Sequence, residues 1–169
     1  MTIHSSASTV IPRRSGAAHA ILAGGLGAGT IDLLFACTFN AVHGGIAPLR
    51  VLQFIASGVL GRAAFEGGLA TGILGVLLHY TILLVAAALF VAAARRQRWL
   101  AAHPLAAGVA YGLAIYTVMH LVVLPLSAAA PYHPSMLGRV LDFLVHVGLI
   151  GPAIAFATRR WDWRGTSGS

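Results

Sequence analysis

Residues 75–94, GVLLHYTILLVAAALFVAAA, run for twenty residues without a charge and stop at Arg95, Arg96 and Arg98. At ~1.5 Å per residue, an apolar helix of this length crosses the ~30 Å hydrocarbon core of a bilayer. The composition agrees. A soluble domain carries ~25% charged residues, whereas this 169-residue chain has 9%, with 58% hydrophobic residues and a mean hydropathy of +0.85. Lipid cannot satisfy the backbone of an open sheet, so the expected fold is all-α: one integral membrane domain.

Four spans are expected, at about 17–41, 66–94, 104–127 and 136–158, making a single bundle over 16–160. Residues 1–15 are Ser/Thr-rich and read as a disordered cytoplasmic tail, and 161–169 as a second one. Span one holds Asp32 and shows no cleavage site, so an uncleaved span is preferred to a twin-arginine signal. It is the least hydrophobic span and is expected to have the least lipid contact. Gly25 and Gly29 form a GxxxG step that lets helices approach closely, and homo-oligomerisation through such faces is an open option. Residues 48–60 differ: Arg50, Gln53 and Ser57 share one face of a helix too short to span. An interfacial amphipathic helix is expected there, with a re-entrant half-helix as the alternative. Arg62 and Glu66, four apart, are a candidate ion pair at the start of span two. Pro125 is expected to distort span three, Gly151-Pro152 to kink span four, and Ser135 to cap it.

The net charge of +7 comes from eleven arginines against Asp32, Glu66, Asp142 and Asp162. The arginines cluster beside apolar runs, which reads as membrane topology and not as a nucleic-acid surface. With four spans, eight fall on one side and three on the other, which puts both termini in the cytoplasm. The single cysteine, Cys37, excludes an intramolecular disulfide. No nucleophile elbow, Walker loop or dinucleotide fingerprint is present, so a binding or sensing protein is favoured over an enzyme.

Polar residues inside spans are expensive and are expected to face the bundle. Five stand out: Asp32, His79, His120, Asp142 and His146. Counted along the helices, they lie about 6–16 Å from the same membrane face. Asp142 and His146 share a helix face, and Tyr116 lies one turn before His120. His79, His120 and His146 are therefore expected to converge, with Asp32 or Asp142 as charge partner. Several uses fit this set. It serves as a structural hydrogen-bond network, as a zinc, copper or iron site, as a haem site on two facing imidazoles, or as a proton-responsive site. A small transporter or channel subunit using the same residues is the alternative function. His4, His19, His43, His103 and His133 are read as surface residues.

His79, the run His120 to Leu126 with Pro125, the Pro-containing link, Asp142-x-x-x-His146 and the apolar run ending at Arg159-Arg160 resemble the YagU-like bacterial inner-membrane proteins. The resemblance covers roughly residues 70–160. It implies a multi-pass protein of the bacterial inner membrane and singles out His79, His120, Asp142 and His146. It implies no reaction.

Overall fold

The computed structural model describes residues 15–131 and 134–160, which are helical with no strand among them. Residues 1–14 of the expected tail 1–15, the expected tail 161–169, and His4 and His133 lie outside the described residues, while Ser15 already belongs to the first helix. Helix α1 is Ser15–Gly44 and α2 is Pro48–Leu60. Helix α3 is Gly68–Arg96, and the single-turn α4 is Arg98–Ala102. Helices α5, Pro104–Leu126, and α6, Met136–Arg160, complete the chain. Four of these, α1, α3, α5 and α6, are long and apolar enough to cross a membrane.

Local chemistry sets the boundaries. Gly45 has φ +61°, a left-handed conformation that ends α1 and that a side chain disfavours. Pro48 starts α2, where its missing N–H costs nothing. Residues Gly61–Phe65 form a 3₁₀ segment, and α3 begins only at Gly68, so Glu66 stays outside it. The Arg62–Glu66 pair does not form among the described residues. At three residues per turn, positions four apart point in different directions, which removes the geometry that an α-helix would have supplied. Ser135 caps α6 as expected, its Oγ accepting from the Gly138 N–H at 3.1 Å.

Both prolines inside spans act through the turn before them. Met119–Val123 of α5 and His146–Ile150 of α6 are π-turns, directly preceding Pro125 and Pro152. A proline ring clashes with the carbonyl four residues earlier and offers it no N–H, and a widened turn relieves both problems.

Helix α1 lies between α3 and α6, α5 packs on the far side of α6, and α2 packs on α3. Small residues allow the close approaches. A Cβ at Gly25 would stand 2.9 Å from Leu84 Cα, and one at Gly108 would stand 2.6 Å from Pro152 Cα. Helix α6 is wedged between two spans and is slightly more buried than α1, contrary to the expectation for span one. In α6, Gly138, His146, Ile150, Gly151, Pro152, Ile154, Ala155 and Thr158 are buried, whereas the second half of α5, beyond Ile115, has no buried residue.

The two ends of the bundle differ. Towards Arg95, Arg96, Arg159 and Arg160, the arginine end, Ala87, Phe90, Ala94, Ile154 and Ala155 form a closed core. Towards the other end the spans part, and α2 covers them. Its polar face turns inward. Gln53 and Ser57 are buried, and Gln53 Nε2 donates to the Gly68 carbonyl at 3.0 Å. Ser57 Oγ accepts from the Ala130 N–H at 3.2 Å. Val59 and Leu60 point outward.

Candidate functional site

The five helix residues singled out from the sequence line one cavity of about 470 Å³ at the α2 end of the bundle. Each arrives from a different local setting. Asp32 projects from the middle of α1 and His79 from α3. His120 sits in the π-turn of α5, while Asp142 and the first residue of the α6 π-turn, His146, share a face of α6. An oxygen of Asp32, an oxygen of Asp142 and a ring nitrogen of His146 lie within 4.8 Å of one another. His120 Nε2 is 3.3 Å from Asp142 Oδ2, and His79 Nε2 is 4.0 Å from Asp32 Oδ2.

Backbone carbonyls fix the ring tautomers, because a carbonyl only accepts. His79 Nε2–H donates to the Gly29 carbonyl at 2.9 Å. His120 Nδ1–H donates to the Tyr116 carbonyl at 3.0 Å. His146 Nδ1–H donates to the Asp142 carbonyl at 2.9 Å and lies 3.2 Å from Asp142 Oδ1. In the neutral rings the remaining lone pairs are therefore Nδ1 of His79 and Nε2 of His120 and His146. Tyr116 holds two of the rings in place. It stacks on His120 at a centroid distance of 4.2 Å and meets His146 edge-on at 5.7 Å.

This arrangement has a consequence. A neutral His120 presents a lone pair to the lone pairs of Asp142, and Asp142 in turn lies beside the Asp32 carboxylate. Acceptors facing acceptors in an apolar interior require positive charge among them, as protons or as a metal cation. Metal-ligating histidines commonly donate their second nitrogen to a carbonyl or carboxylate, the pattern that His120 and His146 show. The tight group is therefore two carboxylates and one imidazole, with His120 adjoining. The sequence led us to expect three converging imidazoles. His79 instead spends its Nε2–H on the Gly29 carbonyl, and that nitrogen stays 4.0 Å from Asp32 Oδ2, beyond hydrogen-bond reach.

Other residues fall away from the cavity. Tyr80 pairs with Thr30 at 2.9 Å. His43 donates to the Phe39 carbonyl at 3.3 Å and stacks on that ring. His103 packs against Trp99. Cys37, half-buried, is not in the lining. The sequence did not single out Asn40, Phe39 and Phe54 as cavity walls, nor Arg50. For Arg50 and Phe54 only the docking of α2 reveals this, since its amphipathic pattern reads equally well with the polar side outward; Phe39 and Asn40 lie on α1, whose rotation no spacing fixes. Compared with known proteins, the chain matches no family model, no curated protein and no solved structure.

Proposed function

We propose that this is a multi-pass protein of the bacterial inner membrane that binds a divalent transition-metal cation in the outer half of its bundle. Asp32, Asp142 and His146 are the ligands, His120 Nε2 is a fourth donor, and His79 lies beside Asp32 outside the ligand set. The observation that carries this is the mutual approach of Asp32, Asp142 and His146 inside a mostly apolar cavity. Tetrahedral ligands ~2.0–2.2 Å from a metal stand ~3.4 Å apart, so donors that now lie within 4.8 Å of one another would close in by about 1 Å on binding. Mixed carboxylate and imidazole ligands suit zinc, iron or manganese better than soft copper(I). The arginine balance supports cytoplasmic termini, which makes the α2 end the outer end, with α2 in the interface. Kinship with the YagU-like proteins, on the residues of spans two to four, is part of this proposal. The sealed core around Phe90 and Ile154 favours a binding or sensing role over a conducting one.

The test is metal content. Protein purified in mild detergent, stripped and dialysed against zinc or manganese should retain close to one ion per chain. That ion should be lost on acidification from about pH 7.5 to about pH 5.5, as protons compete for the ligands. The variant Asp32→Asn should retain far less. A metal-free wild type, a haem absorption band, or undiminished binding in Asp32→Asn would each overturn the proposal.

A further inference from the structure

Arg50 lines the same cavity, at its mouth beneath α2. Its Nη1 donates to the Phe65 carbonyl at 3.0 Å and to Gln53 Oε1 at 3.4 Å, and the guanidinium lies 5.5 Å from the Phe65 ring centre. The ion pairs among the described residues join histidines to Asp32 and Asp142 only, so Arg50 has no carboxylate partner there. A guanidinium has five donors in a planar fork suited to phosphate. Two acceptors on one nitrogen leave most of that fork unused.

Next to Arg50 the cavity is apolar. The backbones of α3 and α5 do not pack along one another. The two helices meet through Tyr111, whose hydroxyl donates to the Ala86 carbonyl at 2.6 Å and whose ring packs on Phe90. From that contact towards α2, Leu78 and Ile82 of α3 and Ile115 and Met119 of α5 line the gap between them. Apolar walls of this kind gain dispersion contacts from an apolar chain laid between them. In a bilayer, the apolar molecule adjoining a cleft between spans is a lipid.

We propose that this cleft binds an anionic phospholipid of the outer leaflet, with its phosphate on Arg50 and one acyl chain between α3 and α5. The charges are compatible. Arg50 follows the turn at the end of α1, whereas Asp32 lies twelve residues, about 18 Å, back from that end. Asp142 is the nearer carboxylate, six residues or about 9 Å into α6, and the headgroup sits outside both. The proposal needs the outer placement of α2 and does not need a metal at the His/Asp cluster.

Native mass spectrometry of the detergent-purified chain tests it, by titration with phosphatidylglycerol and with phosphatidylcholine of identical chains. The wild type should retain phosphatidylglycerol about tenfold more tightly, because both lipids bring a phosphate to Arg50 but the choline ammonium of phosphatidylcholine offsets its charge and repels the guanidinium. Arg50→Gln should lose that preference, and Arg62→Gln, an exposed arginine outside the cleft, should keep it. Ile82→Trp should fill the cleft and weaken both lipids. If that variant does not fold, the Arg50→Gln comparison decides alone. An unchanged preference in Arg50→Gln overturns the proposal. So does displacement of the lipid by inorganic phosphate, which would mark a free-anion site.

Discussion

Asp142→Asn separates a metal site from a structural network, because the two readings demand different things of one carboxylate. In the structure Asp142 faces two rings: His146 Nδ1–H, 3.2 Å from Oδ1, and the His120 Nε2 lone pair, 3.3 Å from Oδ2. An asparagine fits both. Its carbonyl oxygen accepts from His146, and its NH₂ donates to His120. The neutral network thus keeps its hydrogen bonds, and the loss of stability in metal-free protein should be about 1 kcal/mol, the scale of one such bond. Metal binding should suffer far more, since an amide is a weak ligand and carries no charge. Removing even an outer partner of a metal site costs ~10–100-fold, so losing a carboxylate ligand should cost at least about 100-fold, or about 2.7 kcal/mol. Denaturant melts of metal-free protein and competitive zinc titrations, run on the wild type and on Asp142→Asn, measure the two quantities. Wild-type zinc affinity in Asp142→Asn would refute the ligand assignment. A loss above about 3 kcal/mol without metal would refute the neutral network and make Asp142 a structural counter-ion instead.

Close helix contacts predict a contrast between two glycines. Gly108→Ala should destabilise by ~1–3 kcal/mol, because its Cβ would meet the Pro152 backbone, whereas Gly27→Ala meets nothing within 4 Å and should be neutral or stabilising by up to ~1 kcal/mol. Thermal melts of the two variants check this, and equal behaviour would refute the packing. A reporter fused after Gln97 should score as cytoplasmic and one after Ala130 as periplasmic, and the reverse pattern would invert the proposed orientation.

Much of this protein is legible in its sequence because lipid simplifies the code. Twenty uncharged residues ending at Arg95 leave a spanning helix as the physical option, and Gly45, Pro48 and Ser135 punctuate helices through their own backbone chemistry. The cost of polar groups in hydrocarbon also singled out Asp32, His79, His120, Asp142 and His146, and depth counting placed them at one level. Rotation about the helix axes was beyond that counting. Which ring nitrogen is free depends on where the Gly29, Tyr116 and Asp142 carbonyls fall, and the Gly29 carbonyl belongs to a different helix from the ring it meets. The π-turns before Pro125 and Pro152 shift the residues beyond them around the axis, which no regular 3.6-residue count anticipates. The inward polar face of α2 is likewise a tertiary outcome. An amphipathic pattern fixes two faces, and only the neighbouring helices decide which of them is buried.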